Sequence, residues 1–114
     1  MQPSEDYRLR DMLEAAQKAR QHSEGKTFDD LESDELLQLA LVRLIEVIGE
    51  AAKYVTDTTR RLIPAIPWSQ VTGTRDRLIH GYSTVDLTVV WEIVADDLPV
   101  LIESIQAFLT KDEQ

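Results

Sequence analysis

Residues 34–55 carry more apolar side chains than one face of a surface helix can use. Leu36, Leu37, Ala40, Leu41, Leu44, Ile45, Val47, Ile48, Ala51, Ala52 and Val55 recur at helical spacing and spread past a single stripe. A helix apolar nearly all round lies at the centre of a bundle or buries a second face against another chain. The spacing predicts a central helix from about Asp34 to Val55, with Gly49, Ala51 and Ala52 small enough to permit close backbone approach. Glu46 and Glu50 lie four apart on one side of it. Paired carboxylates can serve acid–base chemistry or hold a metal. Nothing else converges on these two in sequence, so they read as a solvated face or as partners for Lys53.

Three more helices frame the central one. The first runs over about residues 5–22, with Ser4 as its cap and Gly25 as its stop. His22 falls in its last turn, where a cation is favoured, and reads as a surface residue. A third helix spans about Trp68 to Ile79, with Pro67 at its first position and Gly73 weakening its middle by ~1 kcal/mol. A fourth runs from about Asp86 to Leu109 along the stripe Leu87, Val90, Trp91, Val94, Leu98, Leu101, Ile102, Ile105 and Phe108. Ser83 or Asp86 caps it, and Pro99 is expected to kink it. Residues 24–33 read as an acidic connector anchored by Thr27, Phe28 and Leu31, with Asp29 and Glu32 placed to cap a short turn. Residues 56–67 read as a loop broken by Pro64 and Pro67, and 111–114 as a frayed tail. No strand pattern is evident. The expected fold is all-α, an up-and-down bundle of four to five helices in one domain of 114 residues.

Several functional classes fall away on composition. The chain has no cysteine, which removes disulfides and thiolate metal sites. No apolar run nears the ~20 residues of a membrane span. The acidic start, Ser4-Glu5-Asp6, is unlike a signal peptide, so a cytoplasmic location is expected. A net charge of −9 opposes general nucleic-acid binding. The charge is uneven, however. From residue 53 to 82 the bases Lys53, Arg60, Arg61, Arg75 and Arg77 face only the acids Asp57 and Asp76. Such a patch on an acidic body can hold a phosphate, or it can merely offset its acidic neighbours.

At the centre of that patch lies Arg75-Asp76-Arg77-Leu78-Ile79-His80-Gly81-Tyr82. Arginine offers a planar fork of donors matched to two phosphate oxygens. Histidine can take or give a proton near neutrality, and tyrosine adds a hydroxyl. Together they suit phosphodiester cleavage without a metal, in which His80 moves the proton and Arg75 stabilises phosphoryl charge. One histidine does not readily serve as acid and base at once, whereas a dimer supplies two. On an ideal helix Arg75 and His80 would point about 140° apart unless the terminus unwinds. The competing structural reading makes His80 a helix-end residue before a Gly81 cap, the arginines partners for acids, and Tyr82 a core edge.

The eight residues resemble the Arg-x4-His-x-Tyr signature of HEPN domains, specifically the HepT-like toxin family. The likeness extends to Ile48-Gly49-Glu50-Ala51-Ala52, to Ile66-Pro67-Trp68, and to Tyr82-x3-Asp86 leading on to Trp91 and Asp97-Leu98-Pro99, and covers about residues 7–109. The resemblance implies a helical homodimer whose two Arg-x4-His elements line one cleft. It implies a toxin of a toxin–antitoxin system, a metal-independent ribonuclease acting on tRNA or mRNA. It also implies an MntA-type nucleotidyltransferase antitoxin that uses ATP to add AMP to the motif tyrosine; the toxin itself needs no cofactor. By that resemblance Arg75 stabilises the phosphate, His80 is the acid–base, Asp76 orients the pair where the family often has asparagine, and Tyr82 is the modification target. Arg77 is an auxiliary phosphate contact. The alternative is a non-catalytic helical partner that docks a nucleotidyltransferase or presents a substrate to it.

Overall fold

The computed structural model describes residues 3–80 and 84–112. Its scaffold is three long helical segments: α1 (Pro3–Ser23), α3 (Glu35–Ala52) and α8 (Leu98–Asp112). Helix α1 packs on both α3 and α8, and the all-α bundle expected from the apolar spacing is what forms. It begins at Pro3, so Ser4 lies inside the helix instead of capping it; a proline with fixed φ suits the first turn. Leu9, Met12, Ala16, Leu41, Ile45, Leu98 and Ile105 are among the side chains sealed in the core.

Short polar residues set the element ends. Thr27 caps α2 (Phe28–Ser33) in a reciprocal box: the Thr27 hydroxyl accepts from Asp30 N at 3.2 Å, and the Thr27 N–H donates to the Asp30 carboxylate at 2.8 Å. Those Thr27 bonds hold the Asp30 carboxyl below the usual carboxylate range. The capping pair is thus Thr27–Asp30, not the expected Asp29–Glu32. Asp34 caps α3 by accepting from Leu37 N at 3.1 Å. The stretch read as a loop contains α4 (Asp57–Leu62), capped by Thr56. Arg60 on α4 donates to the Ala52 carbonyl at 2.9 Å, satisfying an end carbonyl of α3, which stops three residues before Val55. Its guanidinium lies 5.6 Å from the centroid of the Trp68 ring, whose indole N–H donates to the Arg60 carbonyl at 3.1 Å.

The expected third helix is two: α5 (Trp68–Thr72) and α6 (Thr74–Leu78). The fourth begins as α7 (Leu87–Glu92), widens into a π-helical turn at Ile93–Asp97 and resumes as α8. At the turn the Leu98 N–H donates five residues back to Ile93. Proline clashes with the carbonyl four positions before it, so the register relaxes just ahead of Pro99 and the expected kink takes this form. Arg20 donates to the Val94 carbonyl of the turn at 3.1 Å. A two-residue antiparallel ladder, β1 (Ile79–His80) with β2 (Thr84–Val85), departs from the strand-free expectation. Two residues are too few to show an alternating pattern in sequence.

Candidate active site

The site hangs on how α6 is held. Gly73 breaks the α5–α6 segment at φ −92° and ψ 13°, and its N–H donates to the Ser69 carbonyl at 3.1 Å. Thr74 is buried; its hydroxyl donates to the Val71 carbonyl at 2.6 Å and the Gln70 carbonyl at 3.1 Å. These bonds turn the chain between the two short helices. The junction then lies against α3 at Gly49. A Cβ there would stand 3.2 Å from the Val71 carbonyl oxygen and 3.9 Å from the Thr74 Cβ. Gly49→Val is therefore expected to cost about 1–3 kcal/mol through crowding. Urea unfolding checks it, and a midpoint equal to that of the native chain would contradict it.

At the other end, Leu78 is buried and pins α6 to the core. Ile79 turns extended, at φ −105° and ψ 120°, so the helix ends two residues before His80. The expectation that His80 terminates a helix running through Ile79 is corrected accordingly, and the 140° helical divergence from Arg75 does not apply. Register in the ladder pairs Ile79 with Val85 and His80 with Thr84. Below it the Asp86 N–H donates to the Leu78 carbonyl at 2.7 Å. The Asp86 carboxylate caps α7, accepting from Thr88 N at 3.0 Å and Val89 N at 3.3 Å. His80 is thus carried on backbone fixed from both sides. Its imidazole lies outside the described residues, as do Tyr82, the expected Gly81 cap and Ser83.

Arg75 and Asp76 are both exposed on α6. Among the described residues the Arg75 guanidinium has no hydrogen-bond or ion-pair partner. It borders a small crevice between α3 and the α5–α6 junction with Glu46, Glu50, Lys53 and Thr74. Of the other bases of the patch, Arg61 lies exposed on α4 and three are engaged. Lys53 pairs with Glu50 at 3.2 Å, as the sequence suggested. Arg60 satisfies an end carbonyl of α3, and Arg77 reaches Asp97 of the π-turn at 3.6 Å. Half-exposed pairs of that kind contribute about 0–1 kcal/mol, so the bond orients Arg77 more than it stabilises the fold. The cation left for a ligand on α6 is Arg75. Gly49 makes the close backbone approach that its size predicts, whereas the sequence did not assign the supports Thr74 and Asp97. Gly49 and Asp97 lie within stretches that carried the family resemblance, whereas Thr74 gave no signal.

The family model described as "Ribonuclease HepT-like" matches residues 12–108. A protein of Thermococcus cleftensis named "Probable ribonuclease HepT" is 40% identical over 96 residues, covering 84% of this chain and 86% of that one. One from Methanocaldococcus jannaschii, named a "Putative RNase", is 30% identical over 98 residues, covering 86% and 90%. Another so named, from Caldanaerobacter subterraneus, is 35% identical over 89 residues, covering 78% and 80%. No solved structure gave a significant match.

Proposed function

The chain belongs to the HepT-like ribonuclease family, and we propose that it is the toxin of a toxin–antitoxin pair that cleaves tRNA or mRNA without a metal. The observation that carries this reading is the exposed Arg75 guanidinium, unpaired among the described residues and five positions before His80. In the proposed step the ribose 2′-oxygen attacks the adjacent phosphorus and the 5′-oxygen leaves. The products are a 2′,3′-cyclic phosphate and a 5′-hydroxyl. One His80 takes the 2′-proton, and the His80 of a second copy gives a proton to the leaving oxygen. Arg75 neutralises charge on the phosphoryl oxygens, and Asp76, the next residue, takes the role the family likeness implies, orienting the Arg75–His80 pair once substrate is bound. Arg77, drawn towards Asp97, adds a peripheral phosphate contact.

The second copy has a surface to use. Leu36 and Leu39 on α3 are 78% and 60% exposed, apolar area that a homodimer would cover. Tyr82, two residues past His80, is the acceptor for AMP from an MntA-type nucleotidyltransferase that consumes ATP. Bulk and negative charge at that position would exclude an RNA phosphate. Among the described residues no helix is long and apolar enough to cross a membrane.

Co-expression with the nucleotidyltransferase tests the regulatory half. The native chain should gain AMP mass and lose its growth-arresting effect, whereas Tyr82→Phe should stay unmodified and toxic. Modification of Tyr82→Phe would contradict the assignment. The net charge of −9 favours one other reading, a non-catalytic partner that docks the nucleotidyltransferase. That protein would form the complex but neither cleave RNA nor arrest growth.

A further inference from the structure

An acidic ribonuclease faces a binding problem. With a net charge of −9, it repels the phosphates of its own substrate at long range. Contacts that do not depend on charge would have to supply much of the affinity. Stacking of bases on exposed aromatic rings is the general solution for single strands, because every base has a π-face.

Such rings stand at the C-terminal end of α3, the end at which Gly49 packs on the α5–α6 junction. Tyr7 on α1 and Tyr54 just after α3 are 61% and 62% exposed, a poor position for two large aromatics with only a packing role. Arg8 joins them: its guanidinium carbon lies 5.6 Å from the Tyr7 ring centroid and 4.4 Å from that of Tyr54. The cluster adjoins the Arg75 crevice in sequence through Lys53. Lys53 lines that crevice and precedes Tyr54 directly. Gly49, where α3 meets Thr74, lies in the last turn of the same helix, which ends at Ala52 just before Lys53 and Tyr54.

We propose that Tyr7, Arg8 and Tyr54 form a stacking subsite for a base of single-stranded RNA flanking the phosphate held at Arg75. Arg8 orients the rings and offers its own plane to a neighbouring base, while the tyrosines carry the contact. The subsite is tolerant of base identity, since nothing in the cluster reads a Watson–Crick edge. It rests on the ribonuclease reading for its ligand, not on cleavage for its test.

The test uses the full chain and a labelled single-stranded 2′-O-methyl oligoribonucleotide, which lacks the attacking hydroxyl and so reports binding alone. Tyr54→Ala and Tyr7→Ala should each raise Kd by about 5- to 150-fold, the range for one stacked base. The increase should be similar at low and high salt, because no phosphate contact is removed. Tyr54→Phe, which keeps the ring, should bind like the native chain. Sedimentation of each variant accompanies the titration. An unchanged Kd in both alanine variants would overturn the subsite. A weakened Kd that appears only with dissociation of the native oligomer would place the tyrosines between copies of the chain and also overturn it. Failure of the native chain to cleave ordinary RNA, with the tyrosine effect intact, would count against the catalytic assignment and leave the subsite standing.

Discussion

Arg75→Ala and His80→Ala should each nearly abolish RNA cleavage while leaving the fold intact. Loss of a general acid–base costs about 10²–10⁴-fold in rate, and loss of a charge-stabilising donor about 10²–10³-fold. Arg75 is exposed and supports no other side chain among the described residues, so its removal should leave the urea midpoint where it is. Arg75→Lys keeps the charge but loses the planar fork, and should recover only part of the rate. Single-turnover cleavage of an RNA substrate measures all three. Native rates in both alanine variants would remove these residues from the mechanism.

Leu78→Ala should have the largest effect on stability of any change beside the site. The side chain is 1% exposed at the end of α6, directly before the turn into the strand that carries His80. Emptying a buried leucine site costs about 2–5 kcal/mol. That is a large share of the 5–15 kcal/mol typical of a domain. It also loosens the joint at which the Asp86 N–H meets the Leu78 carbonyl, so activity should fall at temperatures where the variant is still mostly folded. Urea denaturation and cleavage assayed together check both parts. A stability loss with native activity would mean the α6–strand joint does not position His80.

Much of the bundle was legible because its core follows simple spacing. Leu37, Leu41, Ile45, Ile48 and Ala52 are buried along α3 as their helical recurrence predicts, and Asp86, one of the two caps expected, caps α7; Asp34, read as the first residue of its helix, caps it instead. What escaped was short-range geometry. Thr56 followed by Asp57 is a sound helix start, but Pro64 and the sparse apolar content of residues 56–63 masked a helix only six residues long. Gly73 signalled a weak point, yet the break is completed by the Thr74 hydroxyl, whose bond to Val71 no propensity scale encodes. Pro99 announced a disturbance but not that it would take the form of a widened, π-helical turn ahead of it. At the site the sequence located Arg75 and His80 by residue type and by family likeness. It did not reveal that Arg77 is drawn to Asp97, because that pair spans 20 residues of chain and depends on how α6 meets the π-turn.

The measurement that tests the central claim most directly is the chemistry of the cleaved ends. Protein expressed without the nucleotidyltransferase, its intact mass verified free of AMP, would be incubated with RNA in EDTA beside His80→Ala. Cleavage by the native chain alone, leaving 2′,3′-cyclic phosphate and 5′-hydroxyl ends, is the predicted result. No cleavage across several RNAs at the unmodified mass, or ends bearing 3′-hydroxyl and 5′-phosphate, would contradict internal attack assisted by His80 and Arg75.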